Sequence, residues 1–441
     1  MKRSFWRRFL SLSRPPALRQ TVFDFVTKRE RRERGFKWSI LVATVAAIAL
    51  CLGLTPRGRY VAAGIPDEAR LVAREILSLP TPREETDAAW KRFREQGIAE
   101  SRRAHEQMYA EISPDYQRLI RYAGLEPGRG ILRWGNYDRT LLLPATIFEP
   151  DDTGRSYRFK PNTHSIWLRQ LTLKSGVLMF FQVPDGPGLA EALHGTTGIP
   201  VETSRQSTNS WGLRGPEPDP KAPLRGIVLG DSFMQGMFVD DDHAPPECLH
   251  RYLEEHYHVK TSVLNTGCLG YSPEQYHASL LAFADRFHPS FIVESIFAND
   301  FGDAFEVVQG KGDWGEGKYW MDQTAEYCRT HQIPLLVVAA PFESGMLGHR
   351  KAGFYPGQIT NVVDLSSISF LDPCDDFINA HLELVTEGER TGHRPYGCPL
   401  FNDPINDGHF SPEGARVWAE SVGKRIVLML DREQAFRQNV H

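Results

Sequence analysis

Four short apolar runs recur down the second half of this 441-residue chain: "GIVLG" (226–230), "SVLN" (262–265), "FIVESIF" (291–297) and "IPLLVVAA" (333–340). Helical patterns separate them, in "ECLHRYLEEHY" (247–257), in Pro273 to Arg286 and in Tyr319 to His331. A strand with one wet face alternates apolar and polar residues; these runs scarcely do, so both of their faces must be covered. Continuous apolar strands alternating with helices predict a parallel sheet between two helical layers over residues 225–441. The chain closes on a helix from about Pro412 to Leu430, with Ser411 as cap and Pro412 at the first helical position. In such a sheet, ligands are met beyond the carboxyl ends of the strands.

The first half is organised differently. Residues 1–37 hold twelve Lys or Arg against three acidic residues, although the whole chain carries a formal charge of -4. That balance gives no general affinity for nucleic acid, and no nucleic-acid partner is expected. Trp38 to Leu54 then runs for seventeen residues without a charge, at the lower limit of ~17 for a membrane helix. The leader is too long for a signal-peptide n-region, and "LTPRGRY" is a poor cleavage site. The expectation is an uncleaved signal-anchor over 38–54, a single transmembrane helix with its basic side in the cytoplasm and the remainder outside. Residues 55–140 read as a helical membrane-proximal stalk, its stripe running through Trp90, Phe93, Ile98, Met108, Ile112, Tyr116, Leu119 and Ile120. Residues 141–224 read as a β-rich segment leading into the sheet domain.

Cys51 lies in the apolar stretch and five cysteines follow it. None has CxxC or His-rich spacing, so no metal site is expected. Cys374 and Cys398 flank a Gly/Pro-rich insertion and are the pair able to bridge in an oxidising compartment. Cys248 and Cys328 fall in helical patterns and read as buried thiols. The acidic run "VDDDHAPPE" (239–247) reads as a solvated turn, because consecutive carboxylates in a loop point in different directions.

The chemistry gathers at loops after the strands. Gly230-Asp231-Ser232 follows the first run, and Ser232 is open to two readings: the cap of the next helix, or a nucleophile at the mouth of the sheet. It lacks the G-x-S-x-G elbow, since position 234 is Met. Gly270, after the second run, allows a backbone N–H to approach a substrate oxygen. Asn299, after the third, offers a side-chain amide to an oxyanion. His409 precedes the last helix, whose N-terminus disfavours imidazolium and so favours a neutral base. Each has an ordinary structural reading by itself. Together, four separate loops supply a hydroxyl, two oxyanion donors and an imidazole at one sheet edge.

The blocks "NSWGLRGPE", "IVLGDSFMQG", "LNTGCLGYS", "FAND" and "DGHFSPEGA" resemble those of the SGNH (GDSL-type) hydrolases over about Trp211 to Val427. "IFEPDDTGRSYRFKPN" (147–162) looks like the β segment of membrane-anchored bacterial members. The resemblance implies a flavodoxin-like three-layer α/β/α domain, a nucleophile Ser232 and an oxyanion hole formed by the Ser232 and Gly270 N–H groups with the Asn299 amide. It also implies His409 as base. Where the family places its orienting Asp, three residues before the His, this chain has Asn406; Asp407 is the nearest acid and Asp403 a further candidate. Phe297 stands where many members carry Gly. The function implied is a serine esterase or O-acyltransferase, needing no cofactor, anchored in the inner membrane with its catalytic domain periplasmic. Its substrate would be an O-acylated envelope or secreted polysaccharide. The alternatives are a lipase-like enzyme using an apolar groove that includes Val177 to Phe181, or a non-catalytic glycan-assembly protein on the same fold.

Overall fold

The computed structural model describes residues 82–135, 140–172, 178–194, 201–301, 314–342, 355–362, 368–392, 398–402 and 408–439. The chain divides into two compact units, Met1–Glu95 and Gln96–His441. The expected membrane span over 38–54 lies outside the described residues, as do the side chains of Val177 to Phe181. Among the described residues, no helix is long and apolar enough to cross a membrane.

In the first unit the described residues, 82–95, form the start of helix α1 (Pro82–Glu111). In the second, α1 ends before Ser113, and α2 (Pro114–Ala123) begins with Pro at its first position, where no N–H is needed. Tyr116, Leu119, Ile120 and Ala123 of α2 are buried, and its end is closed by Gly124 in the left-handed region. β structure begins within the span read as stalk. Strand β1 (Ile131–Trp134), bounded by Gly130 and Gly135, pairs antiparallel with β2 (Thr140–Leu143). Four apolar or amphipathic residues between glycines are too few to register as a periodic strand in sequence.

Two further antiparallel pieces follow. β3 (Phe148–Asp151) and β4 (Ser156–Phe159) form a hairpin whose turn holds a buried Arg155–Asp151 ion pair at 2.5 Å. β5 (His164–Thr172), β6 (Leu178–Pro184) and β7 (Val201–Ser207) form a sheet in the order β6-β5-β7, with the short α3 (Leu189–Leu193) after β6.

The main sheet contains β8 (Leu224–Leu229), β9 (Thr261–Asn265), β10 (Phe291–Ile296), β11 (Leu335–Ala339) and β12 (Ser369–Leu371), all parallel, in the order β12-β11-β10-β8-β9. Numbered from its own first strand this is 2-1-3-4-5 read from the β9 edge, the flavodoxin-like order. The short α4 (Ser232–Gln235) and α5 (Pro245–Tyr257) join β8 to β9, and α6 (Pro273–Phe287) joins β9 to β10. α7 (Trp314–Thr330) joins β10 to β11, α8 (Ile359–Val362) precedes β12, and α9 (Cys374–Thr391) and α10 (Pro412–Asn439) close the chain. Helices α6 and α7 pack on each other, as do α5, α9 and α10, so the sheet lies within three layers. Strands β8, β9, β10 and β11 are buried at nearly every position, which is why their sequences run apolar without alternation. Glu294 interrupts β10, in register with Leu229 and Val337. Burial holds its carboxyl well above the usual carboxylate range.

Cys374 and Cys398 are not joined in a disulfide. Cys374 opens α9, whereas the Cys398 sulfur lies 3.4 Å from His381 Nδ1 on the same helix. Cys248 and Cys328 are buried thiols, as their helical positions predicted.

Candidate active site

Strand β8 ends at Leu229, and after Gly230 and Asp231 the chain enters the four-residue α4. The cap of that helix is Asp231: its Oδ1 accepts from the Phe233 N–H at 2.9 Å. Ser232 therefore occupies the first helical position, and its hydroxyl is not used for capping. It lies 2.8 Å from His409 Nε2 across 177 residues of sequence. Gly236, in the left-handed region, ends the helix after one turn.

His409 reaches this position because both of its flanks are tied. Gly408 takes a positive φ, and the His409 carbonyl accepts from Asn402 N–H at 2.7 Å. Ser411 caps α10, its Oγ accepting from Gly414 N–H at 3.1 Å. The imidazole stacks on Phe233 (ring centroids 4.7 Å apart, 26° between planes) and meets Phe238 edge-on at 5.8 Å. Phe238 has φ 71, an uncommon conformation for a bulky residue and a local strain at the edge of the site. Asp403, Asn406 and Asp407 all lie outside the described residues.

Gly270 closes a turn in which Tyr271 N–H donates to Cys268 O at 3.1 Å. Its φ of 71, with Leu269 not in the positive-φ region, makes this a type II turn, which calls for Gly at that position. The turn is fastened to α4 on the nucleophile side: Gln235 Oε1 accepts from Leu269 N–H at 2.7 Å. Gly267 permits this approach, since a Cβ there would lie 2.3 Å from the Gln235 backbone nitrogen. Neither the Gly270 nor the Ser232 N–H has an acceptor among the described residues.

Asn299 sits in the 3-10 turn Ala298–Phe301 directly after β10. Asp300 holds that turn in shape, accepting from Phe297 N–H and from the Tyr276 hydroxyl, each at 2.8 Å. Burial, and next the neighbouring Asp231, push the Asp300 carboxyl well up. Burial pushes Asp231 up to about 7, opposed by the N–H groups of Phe233 and Asp231 and by the Asn299 amide. The site thus brings Ser232 and His409 into contact, and Asn299 up against the Asp231 that precedes the nucleophile. Phe297 packs against Phe233, the rings tilted by 40° with centroids 4.3 Å apart, and meets Phe342 and Tyr355, so this wall is filled by rings where a Gly would leave space.

The acidic run 239–247 is not simply solvated. Asp241 accepts from the Ser207 N–H and hydroxyl of β7 and pairs with Arg214 at 3.0 Å. Asp240 accepts from Arg205 N–H at 2.8 Å. Arg214, buried, also donates to the carbonyls of Gln235, Gly236 and Val239, encircling the loop that leaves α4. Gln206 continues this fastening, donating to Gly236 O and accepting from Gln235 Nε2, both at 3.2 Å. Sequence reasoning missed Arg214, Gln206, Gln235 and Tyr157, the last of which donates to Leu269 O at 2.5 Å. Arg214, Gln235 and Tyr157 fall within the blocks "NSWGLRGPE", "IVLGDSFMQG" and "IFEPDDTGRSYRFKPN", which gave them no role; Gln206 falls in none. Among the described residues no cluster of His, Cys, Asp or Glu is arranged to hold a metal ion.

No family model and no curated protein matches the chain. Among solved structures it is similar to an acetyl xylan esterase (15% identity, covering 46% of this chain and 100% of that one, TM-score 0.35). It is similar also to a psychrotrophic esterase from Pseudoalteromonas (10%, 47% and 98%, 0.34) and to a GDSL-like lipase from Bacteroides thetaiotaomicron (12%, 46% and 88%, 0.29). What this chain can do follows from its own site.

Proposed function

We propose that the chain is a serine hydrolase of ester bonds, with Ser232 as nucleophile and His409 as general base. The observation that carries this reading is the 2.8 Å contact of Ser232 Oγ with His409 Nε2, made while Asp231 does the capping that would otherwise explain a Ser at this turn. Ser232 Oγ attacks the ester carbonyl as its proton passes to Nε2. The carbonyl oxygen becomes an oxyanion, received by the Ser232 and Gly270 N–H groups and the Asn299 amide. Collapse expels the alcohol, which takes the proton from His409, and leaves an acyl-enzyme. Water then releases the acid with His409 again as base; a sugar hydroxyl in its place gives acyl transfer.

Within this reading Asp407 is our choice for the group that orients His409, with Asp403 and Asn406 as alternatives. The substrate we favour is an O-acylated envelope or secreted polysaccharide. It follows from the basic leader and apolar stretch before residue 55, which suit an inner-membrane anchor with the hydrolase domain periplasmic. A fluorophosphonate probe tests the core of the reading. It is expected to label Ser232 in the full chain, and to fail on Ser232→Ala and His409→Ala variants that melt at the wild-type temperature. Labelling that persists without Ser232 would overturn it.

A further inference from the structure

The Gly270 N–H can stabilise an oxyanion only if the peptide joining Leu269 to Gly270 faces the right way. That peptide is the central one of the turn 268–271, and central peptides are the soft element of β-turns: rotating one by about half a turn interconverts types II and I. Something has to hold it. Because a trans peptide is planar, its carbonyl and its N–H point in opposite directions, so fixing one aims the other.

The carbonyl is held from outside the parallel-sheet domain. Tyr157 of β4 donates its hydroxyl to Leu269 O at 2.5 Å. Tyr157 is itself immobilised. It is fully buried, its ring lies 5.2 Å from that of Tyr271, and its backbone carbonyl accepts from the Tyr271 hydroxyl. The hairpin carrying it is docked through Arg155, which pairs with Asp151 and covers the Phe283 ring of α6 at 5.2 Å. Burial pushes the Tyr157 phenol well above its ordinary range, so it remains a donor throughout the working pH span.

Resting on the serine-hydrolase reading above, we infer that Tyr157 is a positioning residue for the oxyanion hole, clamping the Leu269 carbonyl so that the Gly270 N–H is presented to the substrate oxygen. The clamp has two sides: Gln235 takes the Leu269 N–H from the nucleophile helix, and Tyr157 takes the Leu269 carbonyl from the hairpin.

The test uses the full chain, p-nitrophenyl acetate as substrate and a fluorophosphonate to count active Ser232. Tyr157→Phe removes one oxygen and keeps the ring. It is expected to lower kcat roughly tenfold to a hundredfold, less than or equal to outright loss of a donor, with KM unchanged. Affinity for an arylboronic acid, which forms a tetrahedral adduct on Ser232, should weaken in the same proportion as kcat/KM. A purely structural tyrosine would lower the melting temperature and leave both ratios alone, which would overturn the inference. In a Gly270→Ala background, where the strained turn already favours the flipped peptide, adding Tyr157→Phe should change kcat by less than about twofold; independent effects would again overturn it. Should Tyr157→Phe not fold, Gln235→Met loosens the other side of the same residue and is expected to show the same kcat loss at constant KM. A wild type that neither turns over the ester nor takes the label defeats the hydrolase reading, and this inference with it. An active, labelled wild type matched by Tyr157→Phe defeats the inference alone.

Discussion

The parallel sheet and the antiparallel pieces before it meet at one site but contribute to it in different ways. The sheet brings the groups proposed to react, all from loops beyond its strand ends or beside them: Ser232, Gly270, Asn299 and His409. The antiparallel pieces contribute Tyr157, Ser207, Gln206 and, just beyond β7, Arg214, none of which is proposed to touch substrate. Each of these instead bonds to the loops that carry the reacting groups. A reacting group and the group that aims it can therefore belong to different layers of one fold, and substitution should tell the two apart by what it costs.

The largest effects belong to the sheet side. Ser232→Ala and His409→Ala should each lose activity by ~10⁴-fold or more, and the double variant should be no worse than either, since the two act as one unit. Steady-state ester hydrolysis measures this, and additive losses would show that they do not. Next comes Asn299→Ala, expected to cost about a hundredfold in kcat on an intact fold, as loss of one oxyanion donor does. A rate unchanged in a well-folded variant would remove Asn299 from the hole.

The comparison sharpens on the other side. Gln206→Met breaks the link from β7 to Gln235 and Gly236, leaving the buried Gln235 amide without the acceptor it has in Gln206, and should destabilise by roughly 1–3 kcal/mol. Urea denaturation reads the stability change. Activity per folded molecule should fall by a few-fold only, because Gln235 keeps its own bond to Leu269. A loss as large as that of Asn299→Ala would erase the division between the two regions.

Stability should also depend on pH. Burial raises Asp231 from 3.8 to about 7, so over that interval the folded protein keeps a proton that the unfolded chain has released. The contribution of this group to stability is complete below the unfolded value and is lost as pH rises through about 7. Asp231→Asn, which can still cap α4, should flatten the decline in melting temperature between those limits; an unaltered pH profile would show that Asp231 does not cause it. The smallest effect expected is at Cys398→Ser. With no bridge to Cys374, its melting temperature should be alike in oxidising and reducing buffer, and a reductant-sensitive wild type would contradict the absence of that bridge.

The same division governs what was legible in sequence. Runs such as 227–229 and 335–339 are apolar because helices cover both faces, so the parallel sheet could be read directly. Ser232, Gly270, Asn299 and His409 stood out because polar and glycine residues at strand ends are few and their chemistry is distinctive. Tyr157 was invisible because its partner is a backbone carbonyl 112 residues away, and nothing in a tyrosine specifies that. The acidic run at 240–242 misled for the same reason: a carboxylate facing water and one facing the N–H groups of β7 have the same sequence. The short strand Ile131–Trp134 offered too few residues for a period to appear.

Arg214 bears on where this protein can be cut. A fragment beginning at Leu224 would retain every strand of the parallel sheet and all four groups proposed to react. It would lose the guanidinium that serves the carbonyls of Gln235, Gly236 and Val239, all inside the retained part. Three acceptors would then be left to find water or rearrange, in the segment that directly follows the nucleophile. The smallest piece that carries the whole sheet and the smallest piece that keeps those carbonyls served thus have different first residues. On the role proposed for Tyr157, expression trials and recombination between relatives should start before that residue.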